Sequence, residues 1–96
     1  MTKKERTEQI LAAALKQAGI RGYMRVTRDD IAFEAGVATG LVSLYMGTMA
    51  DLRRTVMRHA VIQEVLSIVA EGLADRNPHA IAAPFELKER ALQTLV

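Results

Sequence analysis

The first helix of the chain is predicted from apolar residues that recur every three to four positions. Over residues 5–18, the positions that share one face are Ile10, Leu11, Ala14, Leu15 and Ala18. Gly19 is well placed to end this helix, and Gly22 adds a second break. We therefore expect one amphipathic helix followed by a loop.

Two short helical patterns then meet at Gly36. Thr27 is a good N-cap, and Asp30 three residues later completes a capping box for a second helix. Gly36 is expected to end that helix in the left-handed conformation that a side chain disfavours. A third helix from about Ala38 to Met46 contains no charged residue. Helix, glycine turn and helix form a helix-turn-helix outline, although many three-helix bundles share it and never touch DNA.

The back half of the chain predicts further helices. Thr48 caps a long fourth helix from Met49 to about Leu73. Pro84 limits Pro78–Ala83 to a short helix, and Phe85–Leu95 forms the last one. Because no segment has a strand pattern, the predicted fold class is all-α. We expect a helix-turn-helix head over residues 1–48 and a helical dimerisation region over residues 49–96, continuous with it in a single compact domain.

Composition and charge narrow the class of protein. The 96 residues include no cysteine and no tryptophan, so a disulfide framework and a thiolate metal site are excluded and a reducing cytoplasm is expected. No signal peptide or membrane-spanning apolar segment is expected. Residues 1–58 contain ten Lys/Arg and six Asp/Glu, whereas residues 59–96 contain three and five. A basic front half favours a polyanionic partner about as strongly as it favours a plain solvated surface.

A pattern of individual residues favours the polyanionic partner over the plain solvated surface. The pattern I-A-x-x-A-G-V spans Ile31–Val37, and small residues, the aromatic Tyr45, the pair Gly47-Thr48 and Leu52 follow it. Together with the first helix, these residues resemble the N-terminal DNA-binding domain of TetR-family regulators over roughly residues 5–58. The resemblance implies a TetR-like three-helix head, which the long fourth helix and the short C-terminal dimerisation helix predicted above would follow. The family carries a C-terminal domain of several helices with an inducer pocket, so the short back half of this chain is a departure from it. The family usually has Tyr, Phe and Lys where this chain has Ser43, Met46 and Met49.

The third helix is the expected recognition helix. Small uncharged residues at its start let the backbone approach base edges, where Thr39 and Ser43 can hydrogen-bond and Ala38 or Leu41 can touch a thymine methyl. Basic residues on the flanks would bind phosphates. The expected DNA contacts are Lys3, Lys4, Thr27, Arg28, Ala38, Thr39, Gly40, Leu41, Ser43 and Tyr45. Taken singly, each of these residues could instead be an ordinary core or surface residue.

The fourth helix has apolar residues on more than one side, which favours burial on two sides. We expect a homodimer through this helix and the last one, with contacts from Met57, Val61, Ile62, Val65, Ile68, Leu92 and Leu95. The alternative is a monomer in which the last helix folds back over the remaining apolar surface of the fourth helix. A dimer would place two heads one turn of DNA apart on a palindromic operator. The resemblance and the lack of an evident activation surface favour a repressor that competes with polymerase there.

No nucleophile elbow, phosphate loop or paired metal ligand accompanies these features, so no catalysis, cofactor or metal is expected. The residues after the family-like region, about forty, are too few to enclose a small-molecule inducer, which suggests constant or autoregulated repression of the kind found in plasmids or phages. Two alternatives stay open. One is a helical protein-interaction module of the antitoxin or antirepressor type. The other is a sensor whose pocket forms only between protomers.

Overall fold

The computed structural model describes residues 1–95, and this part of the chain folds into seven helices without a strand. The prediction of an all-α fold is therefore confirmed. The helices are α1 (Lys3–Arg21), α2 (Arg28–Ala35), α3 (Thr39–Met46), α4 (Met49–Ile62), α5 (Leu66–Ala74), α6 (Pro78–Ile81) and α7 (Phe85–Gln93). Within residues 1–95, none of the helices combines the length and the apolar character needed to cross a membrane.

Three helices begin with the same hydrogen-bonded box. The hydroxyls of Thr27 and Thr48 accept from the backbone N–H groups of Asp30 and Asp51, and each aspartate accepts from the threonine N–H in return. These are the two boxes that the sequence predicts, and each threonine is worth about 1 kcal/mol. Thr2 forms a third box at the start of α1 that the sequence analysis did not anticipate.

The first helix is longer than predicted. It begins at Lys3 and continues through Gly19 to Arg21, so Gly19 is a helical residue and not the cap. Gly22 ends the helix with a φ of 98°. The last turn is held because Arg21 pairs with Asp30 of α2 at 3.4 Å. The prediction that α1 ends at Gly19 is therefore wrong. Contacts with other helices outweigh the low helix propensity of this glycine, and the helix continues past it.

The expected long fourth helix is wrong, because the chain breaks into α4 and α5. The N–H of Val65 donates to the Ala60 carbonyl at 2.9 Å, and the N–H of Glu64 donates to the Val61 carbonyl at 3.3 Å. These two bonds form a Schellman ending in which Glu64 takes the left-handed φ of 56°. A glutamate in a position that usually holds glycine hides this break from the sequence. The Glu64 carboxylate pairs with Arg90 of α7 at 2.6 Å.

One core joins the head to the back half. Its fully buried members come from α1, α2, α3, α4 and α5, and they include Ile10, Ile31, Val42, Leu52, Val56, Met57, Ile68 and Val69. Two expected dimer contacts are therefore corrected. Met57 and Ile68 have no exposed surface, because the break between α4 and α5 turns both side chains into the interior of a single chain.

The loop before α2 is anchored on α5. The Tyr23 hydroxyl donates to Asp75 at 2.9 Å, and the Tyr23 backbone N–H donates to Glu71 at 3.3 Å. Burial, followed by the bond to Asp75, raises the pKa of Tyr23 to about 12. The back half thereby fixes the point from which α2 starts.

A tight contact between α5 and its neighbours gives a test of this packing. A Cβ on Gly72 would lie 2.6 Å from Met57 Cε and 2.8 Å from Ala80 Cβ. We expect Gly72→Ala to lower the free energy of unfolding by about 1–3 kcal/mol in urea titrations, since a full core must shift. The control is Gly19→Ala in α1, where a Cβ meets nothing within 4 Å. That variant should be as stable as the wild type or up to about 1 kcal/mol more stable. Equal stability of the Gly72 variant and the wild type would contradict this packing.

Candidate nucleic-acid interface

The rotation of α3 about its axis is set by two buried side chains. Val42 and Met46 point into the core, whereas Gly40 and Leu44 point outward, and Leu44 is 77% exposed. Because successive residues are about 100° apart on a helix, Gly40 and Leu44 form the middle of the outward face. This face carries no charge. Gly40 has no side chain, so Leu44 is the only side chain that projects from it. It can approach another surface closely.

One flank of this face opens on a groove that we call the arginine groove. Thr39 and Ser43 of α3 line it, opposite the start of α2. Its basic residues are Arg25, Arg28 and Arg53, and Thr27 and Met49 complete the lining beside Asp29. Positive charge therefore follows the side of α3 that carries Thr39 and Ser43.

The other flank opens on a second groove, which we call the lysine groove. Tyr45 of α3 lines it together with Lys3 and Lys4 of α1 and Arg58 and His59 of α4. Leu11 and Met46 contribute apolar surface to this groove. Burial, and then the neighbouring Arg58, lower the pKa of His59. The outward face of α3 thus lies between two basic grooves, one on each side.

Two residues of the arginine groove also brace the fold. Arg28 Nη2 donates to the Gly47 carbonyl at 3.1 Å, and Arg53 Nη2 donates to the Met24 carbonyl at 3.2 Å. Within residues 1–95, the Nε atoms of both arginines are buried without a hydrogen-bond partner. Arg28 therefore ties α2 to the turn after α3, and Arg53 ties α4 to the loop before α2. Loss of either side chain would affect the shape of the head as well as its charge.

The turn between α2 and α3 follows the sequence prediction. Gly36 adopts the left-handed conformation with a φ of 70°, and the N–H of Val37 donates to the Ala32 carbonyl at 3.0 Å. A second link crosses the two helices, because the Thr39 hydroxyl donates to Asp29 at 2.7 Å. The start of α3 is therefore fixed by both backbone and side-chain bonds.

Most of the expected DNA-contact residues gather around α3. Gly40 lies on the outward face and Ala38 is the exposed residue before the helix, whereas Leu41 is half-buried against the core. The arginine groove collects Thr27, Arg28, Thr39 and Ser43, and the lysine groove collects Lys3, Lys4 and Tyr45. The sequence analysis missed Leu44. Its spacing of four residues from Gly40 could have revealed it, since two such residues share a helix face.

The remaining expected dimer contacts lie at two places. Val61 and Val65 are half-buried at the junction of α4 and α5, and Ile62 beside them is exposed. Leu92 and Leu95 are exposed at the end of the chain. The sequence analysis missed two exposed apolar residues, Phe85 and Ile81. Phe85 lies on the same side of α7 as Leu92, with Lys88 between them. Ile81 adjoins this side, because Lys88 donates to its carbonyl at 2.9 Å. We call Ile81, Phe85, Leu92 and Leu95 the α7 stripe.

The part of the chain that the structure describes holds no group of three or more His, Cys, Asp or Glu side chains that could bind a metal ion. The two histidines, His59 and His79, lie in separate grooves.

Comparison with known proteins gives one match. Residues 10–56, from α1 into α4, match the family model described as bacterial regulatory proteins, tetR family. No curated protein and no solved structure matches the chain. The matched residues include the whole of α2 and α3 and exclude α5, α6 and α7.

The box that starts α2 predicts a dependence of stability on pH. The backbone N–H and hydroxyl of Thr27, and then Arg21, lower the pKa of Asp30 below its ordinary value of 3.8. Because the folded state has the lower pKa, Asp30 stabilises the protein above that value, and this contribution is lost as the pH falls through the folded pKa. We expect Asp30→Asn to be less stable than the wild type in urea at pH 7. The difference should shrink below about pH 4.

The matching box at α4 serves as a parallel test. Asp51 also has a lowered pKa, caused first by the backbone N–H of Thr48. Asp51→Asn should therefore show a loss of the same sign and the same pH trend. A difference from the wild type that stays constant between pH 7 and about pH 2 would mean that the carboxylates do not stabilise these boxes.

Proposed function

Because this chain carries a helix-turn-helix DNA-binding domain of the tetR family of bacterial regulatory proteins, we propose that it is a sequence-specific regulator of transcription whose α3 enters the major groove. The observation that carries the proposal is the position of α3. Its uncharged outward face lies between the arginine groove and the lysine groove.

The shape of B-DNA explains why this arrangement suits a duplex. The major groove is about 12 Å wide, admits one α-helix, and has a row of phosphates along each edge. A helix lying in it needs a slim face toward the bases and positive charge on both sides. The face of Gly40 and Leu44 meets the first need, and the two basic grooves meet the second.

The residues divide into those that would read bases and those that would bind phosphates. Thr39 and Ser43 offer hydroxyl groups to base edges, and the exposed Leu44 suits the methyl group of thymine. Lys3, Lys4 and Arg58 would bind phosphates along one edge, together with the Tyr45 hydroxyl. Arg25, Arg28 and Arg53 would supply charge along the other edge. They supply charge near the positions where TetR-family proteins usually have the tyrosine and lysine that this chain replaces with Ser43 and Met49.

We further infer that the protein acts as a homodimer through the α7 stripe. Phe85 is 70% exposed, and it lies two helical turns from Leu92 on the same side of α7. Exposed apolar side chains of this size favour an interface with a partner, and the Lys88 side chain between Phe85 and Leu92 donates to the Ile81 carbonyl. In a two-fold dimer each stripe would pack against its copy, and two heads would read the halves of a palindrome.

A bound dimer would act most simply as a repressor. A protein that covers a promoter can block polymerase by occupancy alone, without a surface for recruiting it. The family supports a role on DNA, and we place that role in the cytoplasm. A helical module that binds another protein is the second candidate. It is distinguished by DNA binding itself, since a regulator's affinity falls steeply with salt while its preferred sequence stays the same.

Gly40→Leu tests whether α3 enters the groove. A Cβ at Gly40 meets nothing within 4 Å in the free protein, so the variant should fold with equal or up to about 1 kcal/mol greater stability. On DNA the added side chain would push α3 off the bases. We expect its affinity for a duplex selected by the wild type from a random pool to fall about tenfold or more, since lost base contacts cost about 1–3 kcal/mol.

The control is Gly19→Leu in α1, where a Cβ also meets nothing within 4 Å. Gly19 lies away from both grooves that flank α3, so this variant should fold and bind the same duplex as the wild type does. If Gly40→Leu bound DNA as the wild type does, the proposal that α3 enters the major groove would be wrong. The absence of any duplex selected by the wild type would favour the protein-interaction module.

Leu92→Glu tests the α7 stripe. A carboxylate in an apolar dimer interface would be desolvated without a partner, so we expect this variant to sediment as a monomer at concentrations where the wild type is a dimer. Its affinity for a palindromic duplex should fall further than its affinity for a single half-site. Gln93→Glu adds the same charge one position along, on another side of α7, and should leave the dimer intact. A wild type that sediments as a monomer would contradict the proposed interface.

A further inference from the structure

The contact between Thr39 and Asp29 joins the first turn of α2 to the first residue of α3. The Thr39 hydroxyl lies 2.7 Å from Asp29 Oδ1, and both side chains are exposed beside the outward face of α3. Both residues also line the arginine groove. A side chain that our proposed function assigns to base recognition is therefore already engaged before DNA arrives.

The direction of this hydrogen bond limits what Thr39 can recognise. An ionised carboxylate has only acceptor positions, so the shared proton belongs to the threonine hydroxyl. A hydroxyl has one proton to donate and two lone pairs that accept. With its proton directed at Asp29, the Thr39 oxygen can only accept a further hydrogen bond. The negative charge of Asp29 also favours a donor and repels an acceptor at the same place.

The major groove presents few groups that meet this requirement. Its hydrogen-bond donors are the N6 amino group of adenine and the N4 amino group of cytosine, whereas guanine offers N7 and O6 and thymine offers O4 as acceptors. We propose that Asp29 fixes Thr39 as an acceptor, so that Thr39 recognises the exocyclic amino group of an adenine or a cytosine. This inference rests on the proposed entry of α3 into the major groove. Asp29 is a positioning residue in it, because it acts through Thr39.

Ser43 provides an internal comparison. It lies one turn after Thr39 on the same flank of α3, and its hydroxyl makes no side-chain hydrogen bond within residues 1–95. Its hydroxyl therefore keeps both its proton and its lone pairs. A base next to Ser43 can present either a donor or an acceptor, so the restriction applies to Thr39 alone.

The experiment removes single atoms from the DNA. The base pair next to Thr39 is first identified as the one whose sequence preference changes in Thr39→Val, with the full chain and duplexes selected from a random pool. At that pair, purine without the amino group replaces adenine, or 2-pyrimidinone replaces cytosine. In a second duplex the purine carries carbon in place of N7. We expect loss of the amino group to weaken wild-type binding about fivefold, the equivalent of one hydrogen bond. Loss of N7 should leave binding unchanged.

The variants then assign the effect to its residues. Thr39→Val should be insensitive to loss of the amino group, and Thr39→Ser, which keeps the hydroxyl, should regain the sensitivity. In Asp29→Ala the hydroxyl is free to donate, so the sensitivity to the amino group should shrink and a sensitivity to N7 should arise. Ser43→Ala should respond to both duplexes at this base pair as the wild type does. If the role of Asp29 were purely structural, Asp29→Ala would bind both modified duplexes more weakly by the same factor.

Three results would overturn the inference while leaving DNA binding in place. Sensitivity of the wild type to N7 that disappears in Thr39→Val would show that Thr39 donates. Sensitivity to the amino group that persists in Thr39→Val but disappears in Asp29→Ala would show that Asp29 itself contacts the base. Insensitivity of the wild type to both duplexes would show that Thr39 hydrogen-bonds to neither the amino group nor N7 at this base pair. Failure of the wild type to select any duplex would instead overturn the proposed function.

Discussion

The burial of Val42 and Met46 is the constraint on which the outward face of α3 depends. This helix has only eight residues, and helices of that length are not stable alone in water. Packing against the other helices therefore supplies its stability and also fixes its rotation. Once these two side chains point inward, Gly40 and Leu44 must point outward, and the hydroxyl and aromatic residues must lie on the flanks. A rotation of one residue would bury the hydroxyl flank and expose the core.

Local signals in the sequence were sufficient for the starts of α2 and α4 and for the turn between α2 and α3. The threonine boxes at α2 and α4 and the left-handed Gly36 depend on residues within one turn of each other, so spacing alone predicts them. The break between α4 and α5 could not be predicted in this way. Glu64 and Arg76 both adopt a φ of 56°, where glycine is usual, so neither marks itself as a helix ending. The mistaken long helix then placed Met57 and Ile68 on a surface that they do not reach.

The candidate site could likewise be predicted only where it depends on the spacing of residues along the chain. Family spacing selected Thr27, Thr39 and Tyr45 because each lies at a fixed distance from Gly36 along the chain. It did not select the bond between Thr39 and Asp29, since that bond depends on how two helices cross. Nor did it predict that Arg28 and Arg53 hold backbone carbonyls. Those arginines link the charge at the surface to the shape of the head, so a lost side chain changes both together. The homodimer and the lack of an inducer stay predictions.

Gly40 has a further consequence for how such a protein can change over generations. The folded chain leaves open space around this position, so a Cβ there would meet no neighbouring atom. If α3 enters the major groove as proposed, selection for a stable core does not act on residue 40, and only recognition of the operator would keep it a glycine. Copies of the gene released from their operator would then be expected to lose this glycine early, while the buried residues beneath it persisted.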